Sequence, residues 1–310
     1  MMAAWSDNIR KVEPYVPGEQ PKDTNVIKLN TNENPYGPSP RVAEVIQNPD
    51  LLRLYPDPTA SQLVDVIAEY HGVDSSQVFV GVGSDDVLAM SFLTFFNSDK
   101  PILFPDITYS FYDVWAELFR IPYERPALDE NFRLVKEDYY RENGGVVFPN
   151  PNAPTGIYEN LANVEDIISH NGDSIVIVDE AYIDFGGKSA LELIDKYDNL
   201  VVVRTFSKSR SMAGLRIGYA ISNPILIKAL NDVKYSYNSY TMNRPSIIMG
   251  TESVKDDAYF KAMVAKVVAT RTRFVESIRP LGFTCLESSA NFVFATHENI
   301  PAKEIFEAAK

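Results

Sequence analysis

The chain has 310 residues, 45% of them hydrophobic and 23% charged, a balance that builds a packed core and excludes disordered and low-complexity classes. With 29 Lys and Arg against 42 Asp and Glu, the net charge is −13 and no basic run offsets it, which excludes nucleic acid as a partner. A single cysteine, Cys285, excludes an intrachain disulfide and a cysteine metal cluster. No apolar run approaches the roughly 20 residues of a membrane span, and the polar start lacks the apolar core of a signal peptide, so the expectation is a soluble, cytoplasmic protein.

Residues 1–40 are rich in proline and read as an irregular arm, and a second proline-rich stretch is Leu54-Tyr55-Pro56-Asp57-Pro58. Beyond it short apolar runs alternate with helical spacing. Val78–Val82 predicts a strand and Asp85–Phe96 a helix; Ile102–Phe104 a strand and Tyr109–Phe119 a helix; Val146–Phe148 a strand and Val164–Ile168 a short helix. Ser174–Val178, Leu200–Val203 and Ile217–Ile221 read as strands, and Pro224–Val233 as a helix. β-Branched runs separated by helices indicate an α/β fold whose mostly parallel sheet is buried on both faces, with ligands at the carboxyl ends of its strands. From about Pro245 a long helical pattern, Ser246–Ile278 with a break at Asp256 and Asp257, leads to Gly282. Two strands at Phe283–Leu286 and Phe292–Ala295 and an amphipathic helix over Pro301–Lys310 follow. The expected division is an arm over 1–40, a large domain over 41–245 and a small α/β domain over 246–310 that looks incomplete at its C-terminal end.

Four segments carry chemistry. Ser207-Lys208 follows the strand at Leu200, where active sites form, although a lone loop lysine is usually solvated. Eight residues on, Gly214-Leu215-Arg216-Ile217-Gly218 places an arginine between glycines, a geometry suited to bidentate phosphate binding. Asp179 ends an apolar run, so its carboxylate emerges at the sheet edge and needs a cation, a metal or a helix to cap; Tyr182 lies three residues on. Gly81-Val82-Gly83-Ser84-Asp85-Asp86 lacks the third glycine of a dinucleotide fingerprint, yet a strand, a Gly-Ser turn and a helix make a site for one phosphate. The turn Asn150-Pro151-Asn152-Ala153-Pro154-Thr155-Gly156 is explicable by its prolines alone.

Asp, Tyr, Lys and Arg in this order at strand ends, behind a Gly-Ser-Asp turn, resemble the pyridoxal-phosphate-dependent aminotransferases of the aspartate-aminotransferase superfamily (fold type I). Val12-Glu13-Pro14-Tyr15-Val16-Pro17-Gly18, Leu29-Asn30-Thr31-Asn32-Glu33-Asn34-Pro35 and Arg53-Leu54-Tyr55-Pro56 extend the likeness to the branch that acts on histidinol phosphate. The resemblance implies that Lys208 forms the Schiff base with pyridoxal 5'-phosphate, that Asp179 pairs with the pyridine nitrogen, and that Tyr182 bonds the ring oxygen. It implies that Tyr109 stacks on the ring and that Ser84, Asp85, Ser207 and Arg216 form the phosphate cup. Tyr55 is expected from the partner subunit of a homodimer, and Tyr15, Asn32 and Tyr55 at the substrate. The family's Asn-Asn-Pro-Thr-Gly has Ala153 at its second asparagine here, leaving Asn152 or Tyr182 to hold the ring oxygen. The implied reaction moves an amino group between histidinol phosphate and 2-oxoglutarate, giving glutamate, in histidine biosynthesis, with no metal. A threonine-phosphate decarboxylase, an aromatic aminotransferase and a non-catalytic oligomer are the alternatives. The family also continues past this length into a segment with an arginine for the substrate's acidic end; Arg271, Arg273 and Arg279, on or beside the long helix, read as solvated surface.

Overall fold

The main sheet follows from the alternation of side chains along its strands. The computed structural model describes residues 10, 13, 14, 16, 26–45 and 53–310. Seven strands, β1 (Val78–Gly81), β2 (Ile102–Leu103), β3 (Tyr123–Glu124), β4 (Gly145–Pro149), β5 (Val176–Asp179), β6 (Leu200–Thr205) and β7 (Gly218–Ser222), lie in the order β1-β7-β6-β5-β4-β2-β3. Along the central strands Val146, Phe148, Val176, Val178, Leu200 and Val202 face one layer, and Val147, Ile177, Val201 and Val203 the other. Both faces are covered, so these strands read as unbroken apolar runs rather than as alternating ones.

The first layer takes α1 (Pro40–Glu44), α2 (Ser61–His71), α5 (Leu161–His170) and α7 (Arg244–Lys255), which contribute Val42, Leu63, Ile67, Val164, Ile168 and Ile247. The second takes α3 (Ser84–Phe95), α4 (Phe111–Phe119) and α6 (Pro224–Tyr237), through Leu88, Phe92, Tyr112, Trp115 and Leu230. The chain then passes through α8 (Asp257–Ile278), the antiparallel pair β8 (Phe283–Cys285) and β9 (Ala295–His297), and α9 (Ala302–Ala309). No described helix is long and apolar enough to cross a membrane.

The sheet is mostly parallel, as expected, with one exception. β7 pairs antiparallel with both β6 and β1. A parallel return needs a crossover of a dozen or more residues, usually helical, and residues 206–217 between β6 and β7 hold only the short 3₁₀ turn Ala213–Leu215. The helix break falls at Asp256, whose side chain accepts from Tyr259 N and caps α8. The last expected strand is displaced: β9 is Ala295–His297, and residues 286–294 form a loop tied to Gly156 O by Ser289 N. The elements α1, α2 and β3 went unread in the sequence. For α2 the signals were present, in the spacing of Leu63, Val66 and Ile67 and in Gly72 at its left-handed end.

Candidate active site

Five loops meet at the carboxyl edge of the sheet. Those after β1, β2, β4, β5 and β6 reach it because their strands run the same way. The segment before β7 reaches it because that strand runs the other way, which brings Arg216 beside residues from β1 and β6. Gly218 is paired with Gly81 on one side and Thr205 on the other. A side chain at Gly218 would stand 2.3 Å from the Ser84 amide nitrogen, and one at Gly83 2.5 Å from an Arg216 guanidinium nitrogen. The glycines are therefore what lets the guanidinium lie against the first turn of α3, whose N-terminal residue makes no side-chain cap. Arg216 Nη2 donates to Asp85 Oδ2 at 3.0 Å and Nη1 lies 3.4 Å from Ser207 Oγ, while Tyr109 OH donates to Asp85 Oδ1 at 2.8 Å. Ser84, Asp85, Tyr109, Ser207 and Arg216 are thus one cluster of donors and one carboxylate.

Asp179, 4% exposed at the end of β5, accepts Tyr112 OH on Oδ2 at 2.9 Å and Ala181 N on Oδ1 at 3.1 Å. Burial pushes its carboxyl up to about 6, against the two hydrogen bonds. The Ala181 bond closes an Asx turn and not the helix N-cap that the sequence left open for this aspartate: the 3₁₀ turn that follows, Ile183–Phe185, has Tyr182 at its N-cap position and no side-chain cap. The Tyr112 bond went unread, because nothing local marks Tyr112 as anything but an apolar helix residue. Its ring packs edge-on against Tyr109 at 5.8 Å, joining the two expected cofactor contacts.

Lys208 Nζ stands 5.6 Å from the Tyr182 ring centroid and donates to Thr31 O at 2.8 Å. Burial holds its ammonium pKa below the usual lysine value, opposed by Asp85 and Glu33. Tyr182 OH accepts Asn32 Nδ2 at 3.2 Å, and Asn32 O accepts Asn291 Nδ2 at 3.0 Å, while Asn291 Oδ1 is buried with no hydrogen-bond partner among the described residues. Asn34, also unread, donates from Nδ2 to Lys208 O at 3.1 Å and Ser209 O at 3.3 Å. The 29–35 segment therefore lies across the lysine.

The remaining expected residues are placed as follows. Asn152 is 8% exposed; its Nδ2 donates to Ile107 O and Thr155 Oγ1, and its Oδ1 accepts Thr108 Oγ1, so the amide braces the loop before Tyr109. Ala153 packs with Tyr182 and Phe292. Tyr55 is 78% exposed, its ring 4.6 Å from that of Tyr240. Tyr15 lies outside the described residues. Arg271 corrects its reading as solvated: it is half-buried, and Nη1 donates to Phe185 O at 3.2 Å and Ala290 O at 2.5 Å, tying α8 to the turn after Tyr182. Among the described residues no group of His, Cys, Asp and Glu is arranged to hold a metal.

A buried strand-end carboxylate, a lysine with a lowered pKa, a phenol beside it and an arginine against an uncapped helix start thus bring anion-binding groups and an amine to one sheet edge. The family model for aminotransferase class I and II matches residues 24–308, and the chain belongs to that family. A histidinol-phosphate aminotransferase of Clostridium beijerinckii is 50% identical over 312 residues, covering 100% of this chain and 87% of the relative. The crystal structure of a histidinol-phosphate aminotransferase from Sinorhizobium meliloti, in complex with pyridoxal-5'-phosphate, superposes with a TM-score of 0.80 at 24% identity, covering 87% of this chain and 75% of that one. A Thermus thermophilus aspartate aminotransferase mutant superposes at 0.79 with 19% identity, over 89% and 84% of the two chains. The fold is the aspartate-aminotransferase-like fold type I.

Proposed function

We propose that this chain moves the amino group of histidinol phosphate to 2-oxoglutarate with pyridoxal 5'-phosphate, as a step of histidine biosynthesis. The observation that carries the reading is the convergence of Lys208, Asp179, Tyr182 and Arg216 at one sheet edge, in a chain half identical to relatives named for that activity. The residues fit the cofactor. Arg216, Ser207 and the first-turn amides of α3 would hold its phosphate, with Asp85 orienting the guanidinium. Asp179 would keep a proton on its ring nitrogen, Tyr109 would cover a ring face, and Tyr182 would stand at the ring oxygen, the Asn152 amide being committed to Ile107, Thr108 and Thr155. Bound there, the cofactor supplies an electron sink for the substrate carbon that loses its proton. Lys208 Nζ is the base that takes that proton and the acid that returns it, and a lowered ammonium pKa makes the neutral amine available.

Asn32 and Tyr15 would line the substrate pocket. Exposed Tyr55 would reach a partner's phosphate and substrate in a cytoplasmic homodimer. The separate β8–β9 sheet supports dividing the chain into an arm over 1–40, a cofactor-binding domain over 41–245 and a small domain over 246–310.

The test is to incubate the purified protein with pyridoxal phosphate, reduce with borohydride, map the adduct by mass, and assay histidinol phosphate with 2-oxoglutarate beside threonine phosphate and aromatic amino acids. Adduct at Lys208 with turnover of histidinol phosphate is expected. Adduct elsewhere overturns the site, and turnover confined to another substrate overturns the assignment.

A further inference from the structure

The loop between β6 and β7 carries Lys208 without regular structure beyond one 3₁₀ turn, and Ser211 within it has φ of 60°. Such a loop holds a side chain in place only if something ties it down. Asn34 does so from the solvent side. On the buried side the tie is a carboxylate. Asp184 accepts Ser209 Oγ on Oδ2 and Arg204 Nη2 on Oδ1, both at 2.5 Å. Ser209 and Arg204 are 2% and 8% exposed.

The positions of these residues give the contact its consequence. Ser209 follows Lys208 directly, Arg204 lies in the strand that leads to it, and Asp184 sits in the 3₁₀ turn Ile183–Phe185 that begins at Tyr182. The second buried acid beside Arg204 is Glu180, with Oε2 3.6 Å from Nε, and its other bonds go to Ser189 Oγ and Ala190 N. Burial pushes Glu180 up to about 7, and the closer contact of the arginine is with Asp184, at 2.5 Å against 3.6 Å for Glu180. A paired carboxylate with both oxygens spent is rigid.

We propose that Asp184, held by Arg204, is a positioning residue that fixes Lys208 against Tyr182 through the Ser209 hydroxyl. The proposal rests on the reading of Lys208 as the reacting lysine, but one of its tests needs no cofactor. Lys208 faces Asp85, Glu33, Arg216 and Asp179. If the brace keeps the amine in that buried place, Ser209→Ala lets it move toward water and its pKa rises toward that of an ordinary lysine.

The experiment compares the parent, Ser209→Ala, Asp184→Asn and, as control, Ser189→Ala, which removes a hydroxyl from the other acid of the same network. Acetylation of Lys208 in cofactor-free protein is followed by mass spectrometry as a function of pH, and the rate of pyridoxal-phosphate capture by absorbance. Ser209→Ala is expected to raise the pH midpoint of acetylation, with a loss of neutral amine below it, and to slow capture accordingly. Ser189→Ala is expected to change neither, although both variants lose a part-buried hydrogen bond to a carboxylate. Equal midpoints in the parent, Ser209→Ala and Ser189→Ala overturn the brace, whether or not Asp184→Asn folds. A parent that shows no capture at Lys208 overturns the cofactor reading instead, and the acetylation midpoints still decide the brace.

Discussion

Asp179→Asn should make the cofactor-free protein more stable at neutral pH while removing most of its turnover. In the folded chain the carboxyl is pushed from the ordinary 3.8 up to about 6, burial being the main cause. A raised carboxyl means that the folded state holds its proton longer than the unfolded state. The stability linked to that proton is complete below pH 3.8 and is lost as pH rises through about 6. At about 1.36 kcal/mol per pH unit, the full loss is roughly 3 kcal/mol. Asparagine cannot ionise and escapes it, but its single carbonyl can serve only one of the two donors, Tyr112 OH and Ala181 N. The other then faces an amide, at a cost of about 1 kcal/mol. The variant should therefore be close to the parent near pH 5 and ahead by roughly 2 kcal/mol at pH 7.5. Urea unfolding of both proteins across that range measures the difference, in which every other titrating group cancels. Added pyridoxal phosphate should reverse the order, since a cationic ring nitrogen favours the carboxylate. Parallel stability curves from pH 5 to 7.5 would refute the argument, because they would mean that Asp179 is not desolvated in the folded chain.

Lys208→Ala should fold like the parent by circular dichroism, yield no borohydride-trapped adduct, and lose at least the roughly 10²–10⁴-fold in turnover that one acid–base group provides. Gly83→Ala should weaken pyridoxal-phosphate binding about tenfold or more by equilibrium titration, since φ is 87° there and the new methyl would stand 2.5 Å from Arg216 Nη2. Tyr112→Phe removes the hydrogen bond that lowers the Asp179 carboxyl pKa. The pH midpoint of the lysine-bound cofactor's absorbance should then move, with little change in thermal midpoint. His71 is held down to about 3 by burial and then by Arg204, so the stability linked to it is present above 6.5 and is lost as pH falls toward 3. His71→Gln should flatten that acid limb in urea titrations.

Much of this site was legible because apolar runs mark where buried strands end. The run ending at Val178 puts Asp179 at the sheet edge, and that ending at Val203 puts Lys208 just beyond it. Chain order then supplies the family. Tyr112 and Asp184 were invisible for a physical reason: each acts through a partner 67 or 25 residues away, and their own neighbourhoods read as helix face and loop. The two-residue β3 was missed because its packing, not its propensity, decides it, whereas α2 carried readable spacing and a C-terminal glycine. Arg271 shows the converse error. Its spacing on α8 suggested solvent, yet two backbone carbonyls from the turn after Tyr182 and the loop before β9 converge on it.

The reversed strand explains why the site needs supports that sequence does not show. Had β7 run parallel to β6, a helical crossover would separate them, and Arg216 would lie at the opposite edge from Lys208. Reversal brings lysine and arginine to one edge within twelve residues of chain, from 206 to 217, at the expense of a regular element to hold them. What replaces the helix is a set of single contacts: Asn34 on the Lys208 and Ser209 carbonyls, Asp184 on the Ser209 hydroxyl, and Gly83 and Gly218 where the guanidinium and the α3 turn close on each other. Each is a point support, so each should be sensitive to a single substitution in a way that residues inside β5 or β6, held by a ladder on both sides, are not.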